Sequence, residues 1–317
     1  MENKDSPIPV IDFSEEIVKT STTSWFSRCN HVREALEEFG CFMAIYDSVS
    51  TEIRNQVFQS LKEIFNLPTE TKMKNMNSDM PYFGYIRFPE LHETMGLFNA
   101  TAPGAIQSFA DLMWPSGNRE FCEIFDTYTK KVSKLNSTIT RMVFESYGVE
   151  EYYDSHINST AYLLRASGYK PPPSNEISIT EENEKIVGAL PHTDADFITI
   201  LEQNDIQGLE IKAKDDKWIP IHFPPSSFVV LAGDALLAWS NGRIRPCLHR
   251  VMIEGKEERY SIGMFSFNNG TIEIPNKPYY PDYPLKFKSF DHFAFIRFRI
   301  ENITLPAEDR IKMFCGV

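Results

Sequence analysis

The chain has 317 residues, 42% of them apolar, and a net charge of −12. That suffices for one large domain, or a domain with a substantial extension, around a buried core. The acidic balance argues against nucleic acid or an anionic membrane as partner, since both require a basic surface. The best apolar run, Phe228 to Ser240, is interrupted by Asp234 and is too short to cross a membrane. The polar opening Met1-Glu2-Asn3-Lys4-Asp5-Ser6-Pro7 does not read as a signal peptide. An odd set of scattered cysteines, Cys29, Cys41, Cys122, Cys247 and Cys315, reads as free thiols. The expected location is cytoplasmic.

Ile8 to Phe13 is a short strand candidate. Trp25 to Phe39 reads as a helix preceded by Ser and Thr suited to capping and ended by Gly40; Cys41 to Ile45 is a strand. Ser50 is placed to cap a second helix with Ile53, Val57, Leu61 and Ile64 on one stripe, stopped by Leu67-Pro68. From Ser78 to Pro115 regularity gives way to Gly, Pro, Asn and aromatics, as in a long ordered loop that forms either a lid or pocket wall, or packed surface. Phe121, Ile124, Tyr128, Val132, Leu135, Ile139, Met142 and Val143 then keep a helical stripe until Gly148, as expected of a scaffold helix on the outside of a sheet. Strand-like runs follow at 161–165, 197–201, 208–211, 218–223, 227–231, 236–240, 247–253, 260–267 and 271–274, and many short strands imply a sandwich or jelly roll. Pro171 to Lys185 reads as a solvated loop whose position permits a gate. The aromatic tail from Phe287 to Ile303 reads as helix packing back on the fold, with substrate enclosure among the roles open to it.

The chemistry concentrates in Leu190-Pro191-His192-Thr193-Asp194. Two residues apart, His192 and Asp194 share a face only on an extended strand, and Pro191 before them and the Phe197 to Leu201 run after them favour that conformation. A third donor is His249, which alternates with Val251 and Ile253 onto a single face. Two imidazoles and one carboxylate form a facial triad that leaves positions open on iron(II). Glu254-Gly255-Lys256-Glu257-Glu258 reads as a hairpin turn, after which Arg259, Ser261, Gly263, Phe265 and Phe267 share a face. Arg259 thus points into an apolar interior, where a guanidinium needs an anion and suits a carboxylate held bidentately. The competing reading, a zinc hydrolase site, leaves Arg259 without a task.

The His-X-Asp, the distant His and the Arg-X-Ser resemble the plant iron(II)/2-oxoglutarate-dependent dioxygenases, as do the Ile-Pro-Val-Ile-Asp opening, Glu-Phe-Gly-Cys-Phe and Phe-Asn-Leu-Pro-Thr-Glu-Thr-Lys. Met-Trp-Pro-X-Gly-Asn followed by Phe-Cys-Glu resembles the subgroup of glucosinolate side-chain (AOP-like) oxygenases of specialised metabolism. The resemblance runs from Ile8 to about Arg310. It implies a mainly β fold with flanking helices: a double-stranded β-helix (jelly roll, cupin-like) core with an N-terminal helical extension. The implied regions are 1–155, N-terminal helices and strands; 156–275, the catalytic core; and 276–317, a C-terminal helical tail. It further implies iron ligation by His192, Asp194 and His249, and a clamp of Arg259 and Ser261 on the distal carboxylate of 2-oxoglutarate. Tyr169 matches the tyrosine of the Asn-X-Tyr signature that touches the co-substrate, while Ser167 stands in the asparagine position as a shorter hydrogen-bonding group. The carboxylate of Asp194, which related halogenases lack, favours oxygenation.

The implied activity couples oxidative decarboxylation of 2-oxoglutarate by Fe(II) and O2, with ascorbate as reductant, to hydroxylation, dealkylation, desaturation or ring closure of a small plant metabolite. A monomer is expected, with no nucleic-acid or membrane partner. Phe265, six residues after Arg259, is at a position that often faces substrate in the family, and Phe197, Tyr82, Phe83 and Phe88 are further aromatic candidates. His31, His92, His156, His222 and His292 have no partner spacing and carry no assigned role. Alternatives are an oxidase that uses ascorbate in place of 2-oxoglutarate, a hormone (auxin- or gibberellin-type) oxidase, and a binding protein on a cupin-like scaffold. Succinate formation and metal content separate the first and last of these from the main reading.

Overall fold

The computed structural model describes residues 8–14, 23–88, 92–171, 185–275 and 284–317, leaving aside the side chains of residues 307 and 308. The first part of the chain builds β1 (Val10–Asp12), α1 (Thr23–Phe39), β2 (Cys41–Ile45), α2 (Thr51–Asn66), α3 (Thr69–Met73), β3 (Ile86–Phe88), β4 (His92–Phe98), α4 (Ala105–Met113), α5 (Arg119–Ser146) and α6 (Tyr153–Asn158). Local chemistry sets several of these ends. The Ser50 side chain caps α2 by accepting from Ile53 N at 3.3 Å, and Asn118 caps α5 by accepting from Phe121 N at 3.0 Å. Gly40 ends α1 at φ +72, where a side chain would be strained and an added Cβ would lie 2.7 Å from the Arg245 carbonyl oxygen.

The remainder is β5 (Thr160–Tyr169), β6 (Ile186–His192), β7 (Ile198–Gln203), β8 (Leu209–Lys212), β9 (Trp218–Pro220), β10 (Ser227–Ala232), α7 (Asp234–Trp239), β11 (His249–Ile253), β12 (Arg259–Asn268), β13 (Thr271–Ile272), β14 (Phe290–Asp291), α8 (His292–Glu301) and α9 (Ala307–Cys315). A larger sheet runs β1-β2-β10-β7-β12-β5-β4-β3 and a smaller one β6-β11-β8-β9. Alternation gives the larger sheet two different faces. Phe42, Phe228, Ile200, Ile262 and Leu164 point outward and share one core with Trp25 of α1, Leu61 of α2 and Phe121 and Phe144 of α5. Each such side chain contributes about 1.5–3 kcal/mol by leaving water, so the helical layer stabilises the sheet it covers. Inward-pointing Met43, Val229 and Leu231 meet Leu209 and Ile211 of the smaller sheet, and Tyr169 meets Val251 and Ile253. Two sheets packed face to face form the expected jelly roll. Strands β1 to β4 lie in the same sheet as β5, β7, β10 and β12, so the N-terminal region is continuous with the core.

Several local expectations are corrected. Ser78 to Pro115 is not an irregular loop, since it contains β3, β4 and α4. β4 escapes a periodicity reading because its inward face reads His92, Thr94, Gly96, Phe98, a lining for a cavity rather than an apolar stripe. Leu236 to Ser240 is not a strand; it falls in and just after helix α7, whose Trp239 packs on Phe144 and Phe197. A short apolar run buried on all sides has no period to distinguish helix from strand. Glu254 to Glu258 do not form a hairpin turn, because β11 belongs to the smaller sheet and β12 to the larger; these residues cross between sheets. β6 ends at His192, which leaves Asp194 in the following loop rather than on the strand. The tail is helical as expected, with β14 added against β13. Residues 172–184 of the expected gate lie outside the described residues.

His156 is buried against Phe144 and Phe197, and burial pushes its imidazole down to about 3. An unfolded histidine titrates near 6.5, so between about pH 6.5 and the folded value the unfolded chain binds the extra proton and the His156 contribution falls with pH. Above about pH 6.5 that contribution is fully present. The stability advantage of the wild type over His156→Gln is therefore expected to shrink, by at most about 1.4 kcal/mol per pH unit, as pH drops from about 6.5 towards 4. Paired urea melts across that range measure it, and a constant gap would mean that the folded imidazole is charged.

Candidate active site

β6 and β11 are antiparallel neighbours whose register sets His192 opposite His249, with ring centroids 4.3 Å apart. After His192 the chain leaves the strand and turns through Thr193, bringing Asp194 Oδ1 to 3.8 Å from His192 Nε2 and 4.0 Å from His249 Nε2. One donor atom from each residue lies within 4.8 Å of the others. The remaining ring nitrogens are committed, His192 Nδ1 at 2.8 Å from the Leu190 carbonyl oxygen and His249 Nδ1 at 3.0 Å from that of Cys247. A carbonyl only accepts, so each Nδ1 carries the proton and each Nε2 is free to offer a lone pair. Burial and then the His249 ring push His192 down to about 4, which keeps it neutral near pH 7. Burial alone would raise the Asp194 carboxyl, but His249, His192, the Thr199 hydroxyl and Arg299 together outweigh it and hold it below the usual range. Two imidazoles and one carboxylate are a donor set that fits iron(II) with positions left open.

A second layer holds Asp194 in place. Thr199 Oγ1 lies 2.7 Å from Asp194 Oδ2 and 3.1 Å from Asp196 Oδ1. The Thr199 hydroxyl is thus shared between the two carboxyls, closer to Asp194, while burial and the Asp194 charge push Asp196 above the usual carboxyl range. The Asp234 amide donates to the Asp194 carbonyl at 2.8 Å. From α8, Arg299 pairs with Asp234 and donates to the Thr193 carbonyl. On the other side of the ligand, Asn268 N donates to His292 Nδ1 at 3.1 Å, leaving Nε2–H for the Ala195 carbonyl at 2.9 Å. Helix α8 thus braces the ligand loop on both sides of Asp194.

The inner face of the larger sheet is laid out in rows by its register. The first row is His92, Tyr169 and Arg259; the second Thr94, Ser167, Ser261 and Gln203; the third Gly96, Arg165, Gly263 and Leu201; the fourth Phe98, Leu163, Phe265 and Thr199. Arg259 is fully buried. Its Nη2 donates to Gln203 Oε1 at 2.8 Å and its Nη1 to Ser261 Oγ at 3.5 Å, while its carbon sits 4.9 Å over the Tyr169 ring. It meets no carboxylate among the described residues, and its buried Nε has no partner. A guanidinium so placed fits an anion such as a 2-oxoglutarate carboxylate. Burial raises the Tyr169 phenol, against the opposing pull of the Arg259 charge.

The other sequence candidates divide. Phe83 and Phe265 fall in a small aromatic cluster with Phe98, Phe267 and Phe293 that also touches Ala195, beside the ligand Asp194. Tyr82 lies nearer the surface with its ring 4.3 Å from the Arg165 guanidinium carbon, and Phe88 stacks on His92 at 4.9 Å. Phe197 is corrected: it is fully buried between His156, Phe144 and Trp239 on the helical side, turned away from the cavity. Sequence reasoning missed His92, which stacks on Tyr169 at 4.2 Å with an unpartnered Nε2 and is pushed down to about 3 by burial. It also missed Gln203, Thr199 and Arg165. Arg165 carried a readable signal, since it alternates with Ser167 and Tyr169 along one strand face.

The 2OG-Fe(II) oxygenase superfamily matches residues 152–268, and the family of the N-terminal part of non-haem dioxygenase in morphine synthesis matches residues 8–112. This chain belongs to the iron(II)- and 2-oxoglutarate-dependent dioxygenases, whose cofactors are Fe(II), 2-oxoglutarate and O2. Within that family it is 37% identical over 294 residues to a probable 2-oxoglutarate-dependent dioxygenase AOP1 of Arabidopsis thaliana, covering 92% of this chain and 90% of the relative. The 2-oxoglutarate-dependent dioxygenase AOP3 of the same plant is 28% identical, covering 98% and 97%. Among solved structures, dioxygenase for auxin oxidation 1 of Arabidopsis thaliana, in binary complex with 2-oxoglutarate, is 28% identical with a TM-score of 0.71 over 81% of this chain and 91% of that one. The rice dioxygenase for auxin oxidation, 24% identical, shares the fold with a TM-score of 0.80 over 98% and 100%.

The Thr199 hydroxyl is the hinge between the two acids, and Thr199→Val is expected to weaken iron(II) binding about 10- to 100-fold, the range typical of groups that orient a ligand. Thr199→Ser should lose much less. Anaerobic iron titration decides it, and wild-type affinity in the valine variant would show that the hydroxyl does not hold Asp194.

Proposed function

We propose that the chain oxidises a small plant specialised metabolite, with His192, Asp194 and His249 as iron ligands and Arg259 as the clamp on 2-oxoglutarate. The observation that carries this is the pairing, between two facing sheets, of a three-donor cluster with a fully buried guanidinium lacking a carboxylate partner among the described residues. Bound iron(II), with 2-oxoglutarate and oxygen, supplies oxidative decarboxylation to succinate and carbon dioxide together with oxidation of a C–H bond. The protein supplies position and the exclusion of water.

His192 and His249 keep Nε2 directed at one point because their Nδ1 protons are tied to carbonyls. Asp194 adds the single anionic donor, held by Thr199. Arg259 and Ser261 bind the distal carboxylate of 2-oxoglutarate, with Gln203 fixing the guanidinium. Ser167, on the inner row beside Ser261, brings a hydroxyl where the family signature has asparagine, and Tyr169 lies against the Arg259 guanidinium. Phe265 and Phe83 form the wall on the substrate side, with Tyr82 and Phe88 nearer the rim. Ascorbate keeps the iron ferrous. We further propose a cytoplasmic monomer without nucleic-acid or membrane partners, a reading that rests on the net charge of −12 and on the free cysteines.

The test is turnover of 2-oxoglutarate by anaerobically purified protein with iron(II) and ascorbate, followed as succinate once air is admitted, alone and against a panel of plant metabolites. Succinate that rises with one of them supports the reading. Turnover that requires ascorbate but consumes no 2-oxoglutarate would overturn it. Asp194→Ala and His249→Ala are expected to abolish succinate formation. Arg259→Ala should raise the 2-oxoglutarate concentration needed by about 10- to 100-fold, the equivalent of a lost charge-assisted contact of about 1.5–3 kcal/mol. An unchanged dependence would remove Arg259 from the co-substrate site.

A further inference from the structure

Arg259 is the first residue of β12, and a strand end is the part of a ladder that opens most easily. A guanidinium held in place before its anion arrives binds more tightly, because less rotamer freedom is lost on binding. The segment between β7 and β8 supplies that hold. Gln203 Oε1 accepts from Arg259 Nη2 at 2.8 Å, and Gln203 Nε2 donates to Gln207 Oε1 at 3.0 Å. The chain then passes so close to the guanidinium that a Cβ at Gly208 would lie 2.9 Å from Arg259 Nε.

Asn204 acts on the backbone of the same arginine. Its Nδ2 donates to the Glu258 carbonyl at 3.0 Å, and its Oδ1 accepts from the Tyr260 amide at 3.1 Å. Those groups belong to the two peptides that flank Arg259, so one carboxamide sets both of its peptide planes. The Asn204 amide adds a bond to the Tyr260 carbonyl at 2.9 Å. On the other side of the segment, β10 pairs with β7 as far as Leu201. Two residues beyond that pairing, the Gln203 carbonyl accepts from Arg54 Nη2 of α2 at 2.7 Å. That carbonyl is part of the peptide joining Gln203 to Asn204, the two residues that hold Arg259. Arg54 is itself fixed by Glu202 at 3.6 Å and Asp205 at 3.2 Å, with its guanidinium carbon 4.9 Å over the Phe58 ring.

We propose that Asn204 and Arg54 are positioning residues for the 2-oxoglutarate clamp: Asn204 orients the backbone of Arg259, and Arg54 anchors the peptide from which Gln203 and Asn204 project. The inference rests on the reading of Arg259 as the clamp, and it gives α2 of the N-terminal region a part in co-substrate affinity. Pairing of a guanidinium with a carboxylate is directional, so a clamp free to tilt holds its anion less well.

The experiment measures, by calorimetry on anaerobic iron(II) protein, the binding of 2-oxoglutarate and of oxalate, a metal-chelating dianion with no distal carboxylate for Arg259. Asn204→Ala is expected to weaken 2-oxoglutarate about tenfold, and Arg54→Met about three- to tenfold. Arg54→Lys, which keeps a charged donor, should retain most of the affinity. Oxalate, and iron(II) itself, should bind every variant within about twofold of wild type, since neither meets the clamp. Arg54→Met is expected to fold, because Glu202, whose carboxyl burial already pushes up to about 7, takes up a proton once the guanidinium is gone. Wild-type affinity for 2-oxoglutarate in Arg54→Met overturns the proposal, whether or not Asn204→Ala folds, and so does wild-type affinity in Asn204→Ala. Equal loss of oxalate or iron(II) and of 2-oxoglutarate overturns it as well, because it would reduce both residues to general stability. Failure of the clamp reading is distinct: it appears as Arg259→Ala that binds 2-oxoglutarate as the wild type does.

Discussion

The pairing of β6 with β11 is the contact on which the site depends. It sets two imidazoles opposite one another at a single register position, and a slip of one residue would send one of them to the far face of the smaller sheet. The strand cannot continue through Asp194, because the carboxylate has to return towards the rings it has just passed. β6 therefore stops at His192, and the loop after it is secured by groups distant in sequence: the Asp234 amide, Arg299, His292 and Thr199. Helix α8 contributes no donor to the metal cluster, yet it bonds the backbone on both sides of the carboxylate ligand.

Buried charge organises the opposite wall. Along the inner face of the larger sheet the lining changes from a cation with a phenol and an imidazole, through hydroxyls, to a second cation and then to aromatic rings. Most buried faces avoid such groups because an uncompensated charge in a dry interior is costly. The two guanidiniums of this face, Arg259 and Arg165, meet no carboxylate among the described residues and are held by neutral groups, Gln203 and Ser261 for the first and the Tyr82 carbonyl and Thr94 hydroxyl for the second. The apolar outer face of the same strands, sealed by α1, α2 and α5, provides the packing that holds this polar lining in register.

Much of this was legible from residue order. The stripes of α2 and α5, the alternation of His249 with Val251 and Ile253, and the shared face of Arg259, Ser261 and Phe265 follow from periods of 3.6 and 2, and the Ser50 cap and the Gly40 stop from local chemistry. Elements without a clean period were not legible. β4 mixes polar residues and glycine on its inward face, and α7 after Asp234 is a short run of apolar residues, so neither shows the contrast that a periodicity reading needs. The crossing at Glu254 to Glu258 has the composition of a turn, and composition cannot say whether the two strands it joins pair with each other or with different sheets.

The sequence by itself determined the donor types, their spacing and which residues of each strand share a face, because these are properties of covalent order and backbone geometry. Tertiary structure alone decided which face looks into the cavity and which looks at the helices. That is why Phe197, an aromatic candidate beside the metal motif, proves to be core, while Arg165 and His92, which carried no assignment, line the site. It alone also decided the position of Asp194, whose carboxylate is placed by groups as far along the chain as Arg299. The physical reason is common to both: alternation sorts a strand's side chains into two sets, and only the packing of one sheet on another, and of helices behind it, determines which set meets the ligand.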